Sequence, residues 1–258
     1  MISICLGIPT YGSQKAAWWQ PLITEAANLY KYGIQIDQAI GRGGMMTDVA
    51  RNHIADEFLK TNSEWLFWID DDNPITAGTI HRLLESHKTI VTGVYVKRDK
   101  KAEPLLYLKL PNNTYQVLTD YRRGEILPID AAGMGCCLVH RSVFEDIQNN
   151  YRVLGRRSGG IMTVNKDSIK GDIFKDASDD TDGQVIDGVY HERLFIIDRE
   201  TKFPFFMLEY GRTEDYGFYE KAAAMGHKLW ADTSVEAGHI GDRVYTPADH
   251  REEKQRGR

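Results

Sequence analysis

The stretch WLFWIDDDN, Trp65 to Asn73, carries five apolar residues that run without a break into three aspartates. An apolar run of that length without alternation reads as a strand buried on both faces, as in parallel sheets covered by helices on either side. Asp70, Asp71 and Asp72 then stand at the C-terminal end of the strand. In open α/β sheets that edge is where ligands bind.

The same alternation of elements extends outward from this strand. Ile2 to Ile8 is a second, nearly continuous apolar run, ended by Pro9 and Gly12. Ala17, Leu22, Ala26 and Leu29 recur at helical spacing between Lys15 and Tyr32, Gly33 suits a helix C-cap, and Ile34 to Ile40 alternates like a strand. After the glycines of GRGGMM, Val49, Ala50, Ile54 and Phe58 mark another helix. Downstream, the pattern predicts a helix over 76–86, a strand over 89–96, a strand over 135–140 and a helix over 142–147. A helix over 214–225 closed by Gly226 and a strand over 228–231 follow. Strand-helix alternation of this kind predicts one α/β domain over residues 1–250 with a mostly parallel central sheet, three layers deep. Residues 149–202 are rich in glycine and aspartate with only short apolar runs, and read as an irregular insertion or lid. Residues 251–258, REEKQRGR, read as a charged tail.

Composition narrows the function classes. The formal net charge of −5 gives no global attraction to nucleic acid or anionic membranes. Three cysteines, Cys5, Cys136 and Cys137, make no disulfide framework, and neighbours on one strand point to opposite faces. No apolar stretch approaches the roughly 20 residues needed to span a bilayer, and MISICLGIPTYG lacks the basic start of a signal peptide. The expectation is a cytoplasmic protein in a reducing compartment.

Three signals carry chemistry. Carboxylates spaced i and i+2 after a buried strand can reach a divalent ion and a diphosphate together, and hard oxygen ligands suit Mn²⁺ or Mg²⁺. The same cluster also reads as a solvated loop or helix cap. Glu214 and Asp215 open a helix with Thr213 at its N-cap position, which complements the helix dipole or supplies a buried acid. His239 in GHIG reads as a loop histidine or as a ligand for an ion already held by carboxylate. Trp18 and Trp19 suit either packing or stacking on a sugar or base, whereas Trp65, Trp68 and Trp230 read as core. GRGGMM lacks the following GK[ST] of a phosphate loop and the spacing of a dinucleotide site.

Taken in order, an apolar strand ending in PTYG, an ARN tripeptide, the aspartate triplet, GMGCCLVHRSVFE, an ED pair opening a helix and a late GH resemble the GT-A glycosyltransferases, especially family 2-like enzymes. The match runs from Ile2 to about Gly241, with 149–202 unmatched. The resemblance implies a Rossmann-like nucleotide-diphospho-sugar transferase domain. It implies that Asp70 and Asp72 bind metal and ribose-diphosphate with Asp71 between them, and that His239 is a third metal ligand. Pro9, Thr10, Tyr11 and Arg51 would contact the nucleotide, and Gly133 and Gly135 would lie under the donor sugar. Asp215 would be the catalytic base, supported by Glu214.

The expected function is transfer of a sugar from a UDP- or GDP-linked donor, with Mn²⁺ or Mg²⁺, to a glycan, protein, small-molecule or modified-nucleobase acceptor. Arg156, Arg157, Arg251, Lys254, Arg256 and Arg258 would form a phosphate patch for the last of these. Two alternatives stand beside it: a nucleotidyltransferase that makes a sugar nucleotide, for which PTYGSQK is a poor phosphate loop, and an inactive glycan-binding scaffold of the same fold.

Overall fold

The computed structural model describes residues 1–10, 16–156, 161–168, 184–186, 189–191, 194–196, 203–208 and 212–256. Its centre is a seven-stranded sheet formed by β1 (Ile2–Thr10), β2 (Ile34–Gly43), β3 (Trp65–Ile69), β4 (Ile90–Val94), β5 (Ile126–Ile129), β6 (Cys136–His140) and β7 (Leu229–Glu236). Their spatial order is β2-β1-β3-β6-β4-β7-β5. The pairs β1–β2, β1–β3 and β4–β7 are parallel, and β6 and β5 run against their neighbours. Five strands therefore point one way, and the mostly parallel α/β sheet expected from the sequence is the one observed.

Alternation along these strands builds two cores. Cys5, Leu66, Trp68, Cys137 and Val139 face one layer, packed against α2 (Thr47–Leu59), α4 (Arg141–Asn150) and α5 (Glu214–Ala224) through Ile54, Phe58, Phe144, Phe218 and Tyr219. Ile4, Leu6, Phe67, Cys136 and Leu138 face the other, against α1 (Ala16–Leu29) and α3 (Thr79–Glu85) through Trp18, Leu22, Ile80 and Leu83. The neighbours Cys136 and Cys137 thus belong to opposite layers, as period-two geometry requires, and all three cysteines are buried and free.

Several sequence expectations change. Residues 251–256 are not a tail but the last turns of α6 (Pro247–Arg256). The described parts of 149–202 are not irregular: Tyr151–Arg156 pairs with Ile161–Asn165 and with Leu194–Ile196, and Gln184–Ile186 pairs with Val189–His191. Three of these strands have only three residues, and YRVLGR and IMTVN do not alternate strictly, so a periodicity argument does not detect them. The first three residues of GRGGMM are the end of β2, which runs past the alternation read at Ile34 to Ile40. Val49 on α2 is 40% exposed, outside the core it was expected to join.

One buried acid joins the two helices of the second layer. Glu25 on α1 is fully buried, and its carboxylate accepts from the backbone N–H of Gly78 and, at 2.7 Å, from that of Ile80 at the start of α3. Burial pushes Glu25 upward in pKa, opposed by these amide bonds. Glu25 is the cap that α3 does not supply from its own sequence, since Gly78 has no side chain to offer. We expect Glu25→Ala to lower unfolding free energy by about 2–4 kcal/mol, the loss of two hydrogen bonds to a charged acceptor, read as a lower urea midpoint; an unchanged midpoint would remove the cap from the account.

Candidate active site

Because β1, β3, β4 and β7 point the same way, their C-terminal ends bring Thr10, Asp70, Tyr95 and the segment after Glu236 to one edge, where antiparallel β6 begins. There a cleft of about 390 Å³ is lined by Pro9, Arg51, Asp70, Asp71, Asp72, Tyr95, Arg98, Tyr107, Gly133, Glu214, Asp215, Tyr216 and His239, among others. Residues from six separate parts of the chain that the sequence singled out thus meet in one cavity. Tyr11 lies outside the described residues.

Arg51 is the hub. It projects from α2, only 3% exposed, with its Nη2 at 3.3 Å from Asp70 and its Nε at 3.3 Å from Glu214 and 3.5 Å from Asp215. Its guanidinium also lies 5.6 Å from the centre of the Trp68 ring. Burial works against its charge, but Asp70, Asp215 and Glu214 outweigh that cost and hold it protonated. One cation divided among three acids cannot restore each of them. Burial raises Asp70 above its ordinary pKa despite Arg51, and Asp72 and Glu214 add to the rise. Asp215 is pushed up to about 8 by burial, which Arg51 opposes and Glu214 and Asp70 reinforce. Arg51 Nη1 is buried without a hydrogen-bond partner among the described residues, as suits a polar atom that a ligand would engage, while Asp70 Oδ1 and Asp215 Oδ1 have their ion pairs to Arg51 and no hydrogen bond.

Asp72 and His239 form a second unit. The turn after β3 is stapled to the GHIG segment by the main chain: Ile240 N–H donates to Asp72 O at 2.7 Å, and Gly238 N–H to Pro74 O at 2.8 Å. Asn73, fully buried, adds a bond from its amide to Gly238 O at 2.8 Å. This staple sets His239 Nε2 at 3.5 Å from Asp72 Oδ2. His239 Nδ1 lies 2.7 Å from Val96 O. A carbonyl only accepts, so Nδ1 carries a proton, and Nε2 faces the carboxylate. Arg98 Nη1 also reaches Asp72 Oδ2, at 2.7 Å. Burial tends to raise Asp72, but His239 and Arg98 together hold it below its ordinary pKa.

A divalent ion fits the Asp72–His239 pair: an oxygen and an imidazole nitrogen are its proper ligands, and two ligands each about 2.1 Å from one octahedral ion lie about 3 Å apart. Among the described residues no group of three or more His, Cys, Asp or Glu side chains could hold a metal. Asp70 is turned to Arg51 instead. Such an ion would complete its shell from water and substrate oxygens, the usual arrangement for phosphate-bound Mg²⁺.

The remaining expected residues fall as follows. Pro9 lines the cleft, and the Thr10 hydroxyl donates to Asp71 Oδ2. Thr213 holds the N-cap position of α5 without a side-chain cap bond. Trp18 is buried and donates from its indole N–H to Asp70 O at 2.8 Å, while Trp19 is 43% exposed. Gly135 leaves room within the protein rather than under a ligand: a Cβ there would overlap Asn73 Oδ1 and stand 3.0 Å from Asp70 Oδ2. Arg156 and Arg157 contribute no described side chain to a phosphate patch, and Arg258 lies outside the described residues. Asn73, Tyr95 and Arg98 were not singled out by sequence; each is recognisable only once the edge is assembled.

No protein-family model matches the sequence, and no curated protein matches it. Among solved structures, A197 from STIV is similar over 96% of this chain and 92% of its own, at 17% identity and a TM-score of 0.51. That likeness shows a shared fold. GalNAc-T7 with UDP, GalNAc and Mn²⁺ is similar over 93% of this chain and 44% of its own, at 10% identity and a TM-score of 0.43. UDP-glucose pyrophosphorylase complexed with UDP-glucose is similar over 59% and 81%, at 9% and 0.36. Among the described residues no helix is long and apolar enough to cross a membrane.

The acid cluster has a thermodynamic signature. Asp215 keeps its proton in the folded chain up to about pH 8, whereas an unfolded aspartate loses it near 3.8. The native state therefore binds more protons across that window, and stability falls as pH rises through it. We expect Asp215→Asn to flatten this decline, with a melting temperature closest to that of the parent below pH 3.8 and higher at pH 8, by about 2–4 °C per kcal/mol of repulsion relieved. Parallel melting curves at both pH values would contradict the raised pKa.

Proposed function

We propose that the chain is a glycosyltransferase that moves a sugar from a UDP- or GDP-linked donor to a hydroxyl- or amine-bearing acceptor, with Mn²⁺ or Mg²⁺ on Asp72 and His239. The supporting observation is the meeting, in one cleft at the C-terminal edge of the sheet, of the Asp72–His239 pair with the buried acid Asp215. An ion bound there would stabilise the negative charge that builds on the departing diphosphate. The chain's own residues do the rest. Asp215 takes the acceptor's proton as the acceptor oxygen or nitrogen bonds to C1 and the C1–O bond to the diphosphate breaks. Its pKa, raised to about 8, makes its ionised form a stronger proton acceptor than an exposed aspartate. Arg51, 3.5 Å away, favours the ionised form that must do this work. Glu214 shares Arg51 and keeps it in place. Attack from the face opposite the diphosphate inverts the anomeric centre. Pro9, which lines the cleft, and Thr10 beside it would contact the nucleotide.

The test is release of nucleoside diphosphate from a panel of UDP- and GDP-sugars in Mn²⁺, in the presence of candidate acceptors. We expect turnover of one donor class, and a loss of about 10²–10⁴-fold in Asp215→Asn, the range a general base contributes. Pyrophosphate release from a nucleoside triphosphate and a sugar phosphate would replace this reading with a nucleotidyltransferase. No turnover of either kind would leave a silent scaffold.

A further inference from the structure

Tyr95, immediately after β4, is 4% exposed yet lines the cleft. Its ring meets His239 edge-on, with centroids 5.5 Å apart. Its hydroxyl oxygen accepts from the backbone N–H of Gly135 at 3.0 Å. A phenol that accepts in this way still has its own proton to give, and among the described residues no acceptor takes it. Burial, with the neighbouring Asp70 and Asp215, keeps the phenol protonated. Gly133 makes the arrangement possible, because a Cβ there would overlap the hydroxyl. The adjacent amide of Met134 favours the ionised form of Asp215. Successive backbone amides at 134 and 135 thus face the Asp215 carboxylate and the Tyr95 hydroxyl.

We infer that Tyr95 is a specificity-determining residue whose hydroxyl donates a hydrogen bond to a hydroxyl of the donor sugar. The inference rests on the glycosyltransferase reading. In that reading the diphosphate lies at the Asp72–His239 end and the reacting carbon beside Asp215. The Tyr95 ring covers the first and its hydroxyl adjoins the second, so the group it reaches is the sugar between them. A ligand oxygen there supplies the acceptor that the protein withholds. A ligand lacking it leaves a buried donor unpaired, the basis of strong discrimination between hydroxyl-bearing and deoxy ligands.

Calorimetry tests this on the full chain in Mn²⁺, with UDP-glucose, UDP-N-acetylglucosamine and GDP-mannose, each beside its free nucleoside diphosphate. For whichever nucleotide sugar the parent binds, we expect Tyr95→Phe to weaken it on the order of tenfold, the equivalent of one hydrogen bond, and to leave the free diphosphate unchanged within about twofold. Gly133→Ala, which displaces the hydroxyl without deleting it, should reproduce the selective loss; since Tyr95→Phe also unpairs the Gly135 N–H, its parent-like binding of the free diphosphate is what separates the effect from a folding defect. Equal weakening of both ligands, or of neither, overturns the assignment of Tyr95 while leaving the donor site intact. A parent protein that binds no nucleotide sugar overturns the glycosyltransferase reading, and the role of Tyr95 with it.

Discussion

A single buried guanidinium makes the acidic cleft compatible with a folded chain. Asp70 ends β3, Glu214 and Asp215 open α5, and these elements are far apart in sequence; Arg51 on α2 holds all three. Charges taken out of water need pairing as well as hydrogen bonds, and a lone buried carboxylate responds by keeping its proton. The cleft lies between these extremes. Arg51 is shared three ways, so the acids are tethered without being fully compensated, and Asp70 and Asp215 both keep raised proton affinities. A groove whose acids are positioned but electrostatically unsatisfied favours any cation or proton donor that enters it.

The sheet supplies the geometry that Arg51 exploits. Parallel strands deliver their C-terminal ends to one side, and antiparallel β6 returns there with Gly135 at its start. The turn at 70–74 is then fixed from two directions: the indole of Trp18 holds Asp70 O from below, and the backbone of 238–240 holds Asp72 O and Pro74 O from the side. Hydrogen bonds to carbonyl groups, rather than to the carboxylates, position this turn. The side chains of Asp70 and Asp72 are left for Arg51, His239, Arg98 and whatever the cleft binds.

Much of this was legible in the sequence where the signal is local. The bounds of β3 follow from an apolar run meeting three aspartates, and the helices from apolar spacing. Asp72 and His239, with Asp215, could be proposed as partners only through the order of motifs, because nothing local links residues so far apart. Asn73 and Trp18 act through main-chain carbonyls, which no side-chain pattern encodes. Tyr95 sits in VTGVYV, where it reads as one more core residue; its role depends on Gly133 and Gly135, which the antiparallel pairing of β6 with β4 brings alongside. Of the described strands within 149–202, YRVLGR and IMTVN do not alternate strictly and the others are three residues long. Arg98 is an exposed arginine by sequence and becomes informative only through its 2.7 Å contact with Asp72.

The central claim is that Asp72 and His239 hold a divalent ion in a nucleotide-binding cleft. The most direct measurement is anomalous diffraction at the manganese edge from crystals grown with Mn²⁺ and a nucleoside diphosphate. The account predicts one strong peak bonded to both Asp72 Oδ2 and His239 Nε2, with Arg98 turned from the carboxylate oxygen it now contacts. Manganese bound elsewhere, or nucleotide bound in the cleft with Arg98 still on Asp72 and no peak between that residue and His239, would contradict it.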